Sequence, residues 1–127
     1  NADFYIASAG PLMNFLLGLL GILLLSFSIK YNLHNLGGIP ILEFLYLFVY
    51  INFNLCIFNL IPIGPLDGSS VLPHFLPYNL KIRFQNWNYQ YGTQALMILV
   101  LLSIVIPKFS AFSWIPFISK SIITKLI

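Results

Sequence analysis

Residues 10–29 read GPLMNFLLGLLGILLLSFSI, a stretch of 20 residues that contains no charge and decides the fold class. An α-helix rises ~1.5 Å per residue, so about 20 residues cross the ~30 Å hydrocarbon core of a bilayer. Pro11 suits the first position of such a helix, because its missing N–H would have no partner there. We therefore predict a transmembrane helix over residues 10–29.

Two further uncharged stretches of the same length follow, at residues 44–63 and 87–106. The first of these ends in Pro62 and Pro65, and proline removes a helical hydrogen bond and clashes with the preceding turn. The other opens with aromatic residues of the kind that gather at membrane interfaces. We predict about three transmembrane helices, the second broken by prolines before a Leu-Asp-Gly loop.

The tail over residues 107–127 is aromatic and apolar, with Lys120 and Lys125 spaced through it. Pro107 and Pro116 interrupt it, which favours a segment lying along the membrane interface over a short fourth helix. The predicted fold is thus an all-α membrane protein with three spans and an interfacial tail.

The composition agrees with a chain surrounded by lipid. Of its 127 residues 59% are hydrophobic and 7% charged, whereas soluble domains average about 25% charged residues. The net charge of +3 comes from six scattered cations, so no basic run favours nucleic acid. We expect a multi-pass integral membrane protein, with the cell membrane as the default location. Asn1 opens the chain without a cationic leader, so residues 1–127 are interpreted as a single-domain fragment without a signal peptide.

Asp67 is the acidic residue that stands out among the three in the chain. Three crossings place the start of the first helix and the end of the second at the same membrane face. Asp67 follows the proline-broken end of the second helix, and ionisable groups at membrane depth are costly and usually functional. A surface turn is the alternative for Pro65–Gly68, since these residue types favour turns. Asp3 and Glu43 are expected at the interfaces.

Small and polar residues recur on the same two helices. Gly10, Asn14 and Gly18 stand four residues apart, and such a stripe lets another helix approach closely. Asn59 precedes Asp67 by eight residues, and an amide buried in lipid needs a hydrogen-bond partner. These positions predict close helix contact on the side of Asp67.

Two motifs make the sequence recognisable. Residues 9–14, AGPLMN, resemble the AGPxxN motif of the site-2 protease family of intramembrane zinc metalloproteases. Residues 59–68, NLIPIGPLDG, resemble the NxxPxxxLDG motif of the same family. The resemblance covers residues 2 to about 75 well, and the remainder only through its hydrophobic character.

The resemblance implies a Zn²⁺ cofactor held by two histidines of an HExxH motif and by the aspartate of the LDG motif. That aspartate would be Asp67, and Asn59 would help position the substrate strand or the ligand loop. A water in the open fourth position would be activated for peptide hydrolysis, with the glutamate of HExxH as general base. The residues that would pack the helices together near the site are Gly10, Pro11, Asn14, Pro62 and Gly68.

The chain departs from the family pattern at one decisive point, because it contains no HExxH. His34 lies on the face opposite Asp67, and His74 would be two helical turns or ~10.5 Å from it. We expect N-terminal helices outside this chain to supply HExxH, and the chain alone to be inactive. Gly64 also stands where the family commonly has proline, and Ser70 where arginine is frequent.

The favoured function is therefore that of a zinc metalloendopeptidase acting on transmembrane protein substrates, with this chain supplying the third zinc ligand. Two alternatives stay open: a catalytically inactive membrane scaffold, or pseudoprotease, and a transporter-like module whose polar residues line a path. The resemblance implies that the zinc site opens towards the cytosol, although the distribution of lysine and arginine weakly favours the reverse.

Overall fold

The structure is a computed structural model that describes residues 2–106, 108 and 112–127. Residues 1, 107 and 109–111 lie outside this description, and the predicted interruption at Pro107 lies outside it as well. The described chain is mostly helical, which confirms the all-α class. In chain order its elements are α1 (Ala2–Lys30), β1 (Asn35–Leu36), β2 (Ile39–Pro40), α2 (Ile41–Asn59), α3 (Gly68–Val71), a 3₁₀ turn (Leu72–Phe75), α4 (Tyr78–Trp87), a π turn (Asn88–Gly92), α5 (Thr93–Val105) and α6 (Trp114–Leu126).

Helices α1 and α2 form an antiparallel hairpin that organises the molecule. A Cβ built at Gly18 would overlap the ring of Phe53, and one built at Gly21 would lie 2.5 Å from Cγ2 of Val49. The two backbones approach this closely because the positions facing α2 carry no side chain. The predicted small-residue stripe is therefore confirmed at Gly18, and Gly21 extends it.

A tight β-hairpin connects the two helices at the end remote from Asp67. Its strands pair antiparallel, and the turn between them is made by Gly37 and Gly38, whose φ angles are +60° and +84°. Two successive residues with positive φ are what a two-residue hairpin turn of the primed type requires, and glycine adopts them at little cost. The connection between the first two predicted spans thus contains a short sheet.

Helix α6 covers the outer side of the hairpin. Ile123 is buried in one cluster with Ile22, Val49 and Phe53, so α6 completes the small core between α1 and α2. The interruption predicted at Pro116 is wrong, because Pro116 lies in the first turn of α6. The N–H groups of a first turn have no helical acceptor, so proline is tolerated there.

The beginning of α1 also differs from the expectation. The helix starts at Ala2, so Pro11 lies well inside it rather than at its first position. Pro11 cannot donate the helical bond to the carbonyl of Ala7, yet the helix continues through this point. Pro11 is buried, and the preceding residue, Gly10, contacts the Asp67 side chain.

The other helix limits shift by a few residues. Helix α2 ends at Asn59, four residues before the predicted end, because the residue that precedes a proline disfavours the helical region. The predicted segment 87–106 belongs to a longer helical stretch, since α4, the π turn and α5 follow one another without a break from Tyr78 to Val105. Pro62 and Pro65 both lie in the irregular segment between α2 and α3.

Within the residues that the structure describes, two helices, α1 and α2, are long and apolar enough to cross a membrane. Only 28% and 22% of their most apolar windows are buried, and side chains such as Leu23 remain 68% exposed. A helix that is apolar all round and yet uncovered needs lipid or further helices around it. Helix α5 has 13 residues, so the third span stays a prediction.

Candidate functional site

Asp67 lies in the irregular segment that follows α2. It occupies the N-cap position of α3, where its backbone carbonyl accepts hydrogen bonds from the N–H groups of Ser70 and Val71, at 3.0 and 3.1 Å. Its side chain makes no capping hydrogen bond, although aspartate at this position commonly does so. The half-buried carboxylate is therefore not bound to the N-terminus of α3 and contacts other parts of the chain.

The Asp67 carboxylate lies against Gly10 on α1. A Cβ built at Gly10 would lie 2.9 Å from Oδ2 of Asp67, closer than a carbon and an oxygen pack. The absence of a side chain at residue 10 thus allows the carboxylate to rest directly on the helix. The structure brings together the two sequence motifs, which are separated by 44 residues of chain (residues 15–58).

Gly68 determines how the segment folds back onto α2. A Cβ built at Gly68 would overlap the carbonyl group of Leu60 and would lie 2.7 Å from the carbonyl carbon of Ile61. Both neighbours are backbone atoms, which cannot turn aside as a flexible side chain can. Glycine is therefore required here for the close approach of two main-chain segments, and this approach places Asp67 beside α1.

Asn88, in the π turn, forms hydrogen bonds to the same segment at Gly64. Its Oδ1 accepts a hydrogen bond from the N–H of Gly64 at 2.8 Å, and its Nδ2 donates one to the carbonyl oxygen of Gly64 at 3.3 Å. The φ of Gly64 is +61°, a value that proline cannot adopt because its ring holds φ near −65°. The structure thereby explains why glycine stands where the family commonly has proline.

A polar cavity of about 660 Å³ lies between the first turns of α1, the α3 region and α4. Asp67 lines it, and so do two residues that the sequence interpretation assigned to interfacial or loop positions, Asp3 and His74. The ring of His74 packs edge-on against Phe4 at a centroid distance of 5.0 Å. The remaining lining residues are Ile6, Ala7, Ser69, Ser70, Tyr78, Lys81, Ile82, Gln85, Asn88 and Tyr89.

The side chains of the described residues provide only part of what a metal ion needs. Zinc sites in proteins use at least three nitrogen, sulfur or carboxylate oxygen ligands. Within residues 2–106, 108 and 112–127, no three His, Cys, Asp or Glu side chains lie close enough to hold one ion. The part of the chain that the structure describes can therefore contribute a carboxylate to such a site, but not complete it.

The other predicted site residues lie on the same two helices. Pro11 is buried inside α1, and Asn14 is half-buried one turn further along. Asn59 is the last residue of α2 and Pro62 follows in the irregular segment, each of them half-buried. His34 is exposed beside the β-hairpin, at the other end of the molecule from Asp67, as expected.

Asn88 is a residue of the candidate site that the sequence analysis did not identify. It stands 21 residues after Asp67, in a stretch that also contains Asn86, Tyr89 and Gln90. Nothing in this local pattern distinguishes Asn88 from its polar neighbours. Its partner lies 24 residues away, and only the folded chain shows the pairing.

If Asp67 is a zinc ligand, as the family resemblance implies, replacing Gly10 with alanine is expected to leave the fold intact but to weaken metal binding by about tenfold, as changes beside a ligand commonly do. The new Cβ meets the end of the Asp67 side chain, which can turn away. Alanine also favours helix over glycine by about 1 kcal/mol, so thermal unfolding in detergent should occur at an equal or higher temperature. The measurement is zinc affinity of the complete protein.

Gly18→Ala is the matched control, because its Cβ meets the buried ring of Phe53 instead of Asp67. It should lower the unfolding temperature and leave the zinc affinity of the folded protein unchanged. Equal zinc affinity in Gly10→Ala and the wild type would contradict the role assigned to this contact.

Comparisons with known proteins agree with the family that the sequence motifs indicate. A sequence model of the family described as Peptidase family M50 matches residues 29–102, which is more than half of the chain. The Bacillus subtilis (strain 168) protein named "Putative zinc metalloprotease YwhC" is 27% identical over 84 residues. This match covers 65% of the present chain and 38% of that relative's length. No solved structure matches the chain significantly.

Proposed function

Because the chain belongs to peptidase family M50, the site-2 protease family, we propose that it is part of an intramembrane zinc metalloendopeptidase that cleaves transmembrane protein substrates. Asp67 would supply one ligand to the Zn²⁺. The observation that carries this proposal is the contact between the Asp67 carboxylate and Gly10, at the edge of a polar cavity beside two long apolar helices.

The chemistry of Asp67 suits a zinc ligand. Its carboxylate is half-buried, is not used in capping α3 and faces a cavity large enough to admit water. Catalytic zinc commonly has three protein ligands and one open position, so two further ligands would come from an HExxH segment outside this chain. Zinc, when bound, supplies Lewis acidity for the hydrolysis of a peptide bond.

The chain's own residues would prepare this site. Gly10 lets the carboxylate rest on α1, and Gly68 turns the segment back onto α2. Asn59, at the end of α2, would position the substrate strand or the ligand loop. Asn14 and the uncovered apolar side chains of α1 would pack against the metal-bearing helices, which matches the low burial of this helix. Pro11, for which the same role was expected, is already buried within the described chain.

The remaining properties of the whole protein are part of the same proposal. The relative that the chain matches is considerably longer than the matched portion, so the substrates and the membrane of the complete protein are inferred. We propose a multi-pass protein of the cell membrane, with Zn²⁺ as its cofactor and the cavity open to the cytosol. The chain without its partner helices would neither retain zinc nor cleave.

The test is metal removal from the protein purified with its complete coding sequence. We expect about one zinc per protein, cleavage of a transmembrane substrate in detergent or vesicles, loss of cleavage on chelation, and recovery with Zn²⁺ but not with Mg²⁺. Zinc content is measured by mass spectrometry and cleavage by gel electrophoresis.

Two other results would replace the proposal. Protein without zinc and without cleavage, from a coding sequence that lacks HExxH, would identify a pseudoprotease scaffold. Solute flux into reconstituted vesicles without bound metal would identify a transporter-like module.

A further inference from the structure

We infer that Asn88 is a positioning residue that holds the Asp67 segment in place through a two-point hydrogen bond to Gly64. This inference rests on the proposed function, because it concerns how the proposed ligand is presented. It adds the helical stretch after the Leu-Asp-Gly motif to the parts of the chain that build the site.

The geometry of the pairing is specific to an amide side chain. Gly64 has a peptide N–H donor and a carbonyl acceptor, and the Asn88 side chain hydrogen-bonds to both. Its Oδ1 accepts from the Gly64 N–H at 2.8 Å, and its Nδ2 donates to the Gly64 carbonyl oxygen at 3.3 Å. An amide presents an acceptor and a donor side by side, whereas leucine of similar size presents neither and a carboxylate presents acceptors alone. The two hydrogen bonds therefore form only in one orientation of the Gly64 backbone groups.

Gly92 makes room for this contact. A Cβ built there would overlap Oδ1 of Asn88 and would lie 3.0 Å from the backbone nitrogen of Gly64. The backbone of Gly92 has an ordinary helical conformation, with φ −59° and ψ −47°, so glycine is needed here for space. Asn88 and Gly92 are the first and last residues of the π turn, a structure that is frequently found at functional sites.

The hydrogen bonds between Asn88 and Gly64 are close enough to Asp67 to control the position of its side chain. Gly64 precedes Asp67 by three residues, and the turn between them is held by the hydrogen bond from the N–H of Leu66 to the carbonyl of Ile63, at 3.3 Å. Asn88 also lines the same cavity as Asp67. The segment is thus held at two points, by Gly68 on α2 and by Asn88 on the π turn.

A buried polar pairing of this kind is sensitive to the loss of one partner. Without the amide, the N–H and carbonyl of Gly64 lose their partners in a partly buried place, and the peptide is free to rotate. Misplacing a ligand by a fraction of an ångström weakens metal binding and slows the reaction, while substrate binding elsewhere is unaffected. The predicted signature is therefore a loss of zinc affinity and of kcat with KM unchanged.

The experiment compares Asn88→Leu with Asn86→Leu in the complete protein. Asn86 is exposed and lies two residues away on the same helical stretch. We expect Asn88→Leu to lower zinc affinity and kcat by about tenfold or more, the usual range for residues that orient a ligand, without a change in KM. Hydrogen exchange of the backbone in residues 61–68 should become faster. Asn86→Leu should match the wild type in all four measurements.

A milder variant keeps the test informative if Asn88→Leu fails to fold. Asn88→Asp retains an acceptor for the Gly64 N–H and loses the donor, so its exchange rate and zinc affinity should lie between those of the wild type and a full loss. Wild-type exchange and zinc affinity in either folded variant would overturn the inference.

The two proposals fail in different ways. If Asp67→Ala retains zinc, the proposed ligand is wrong, and the exchange measurement alone then decides whether Asn88 holds the segment. If Asp67→Ala loses zinc while Asn88→Leu retains both zinc and wild-type exchange, the proposed function stands and the inference about Asn88 is overturned.

Discussion

Replacing Asp67 with alanine is expected to abolish zinc retention and to lower substrate cleavage by more than about 100-fold, beyond the 10–100-fold typical of residues that only orient a ligand. A catalytic zinc ion with three protein ligands loses one of its direct bonds, and the remaining two cannot maintain a working tetrahedral site. The helices should persist, because the Asp67 side chain does not cap α3. Zinc content, cleavage rate and circular dichroism in detergent measure the three quantities.

Glu43→Ala provides the matched control for this variant. Glu43 is also acidic, but it lies in the first turn of α2, at the other end of that helix from the Asp67 segment. It should leave zinc content and cleavage unchanged. Asp67→Asn is a stricter test, because the amide keeps the size of the side chain and removes its negative charge. Full zinc content in both Asp67 variants would show that the metal, if present, is held by other residues.

Replacing Gly68 with alanine is expected to give the largest structural effect among the glycines near the site. The Cβ would meet the backbone carbonyl group of Leu60 and the backbone of Ile61, which lie just after the end of α2 and cannot turn aside as a flexible side chain can. Overpacking of a well-packed region costs about 1–3 kcal/mol, and contact with main chain on two residues places this change at the upper end. The Asp67 segment should detach from α2, with loss of zinc and cleavage.

The measurement is thermal unfolding in detergent together with zinc affinity. Gly38→Ala is the control, because Gly38 has a φ of +84° but meets nothing within 4 Å. It introduces the backbone strain of a positive φ without a collision, at the end of the molecule remote from Asp67. It should lower stability modestly and leave zinc affinity unchanged. A Gly68→Ala protein with normal zinc affinity would contradict the close approach seen here.

The family and its two motifs were accessible from the sequence because they are local. The resemblance to the site-2 protease family is confirmed by the match of the family model to residues 29–102, which contains the motif at residues 59–68; residues 9–14 lie outside that match. The hairpin geometry followed from counting membrane crossings, and the contact between Gly10 and Asp67 agrees with it. Two of the predicted spans correspond to helices of sufficient length, while the third stays a prediction.

The errors in the sequence interpretation concern proline. Pro11 was placed at a helix start and Pro116 was expected to interrupt the tail, yet each is contained in a helix. Proline excludes one hydrogen bond but does not exclude a helix whose other turns are stabilised by packing. Whether neighbouring segments supply that packing is not encoded in the residues next to the proline.

By itself, the sequence determined the apolar helices, their order and the identity of the proposed ligand, because each depends on residues close together in the chain. Transfer of uncharged stretches into lipid requires only composition and length. The tertiary structure alone decided which groups surround Asp67. Gly10, Gly64, Gly68 and Asn88 act through contacts with residues distant in sequence or with main-chain atoms, and such contacts arise only when the backbones are brought together in space.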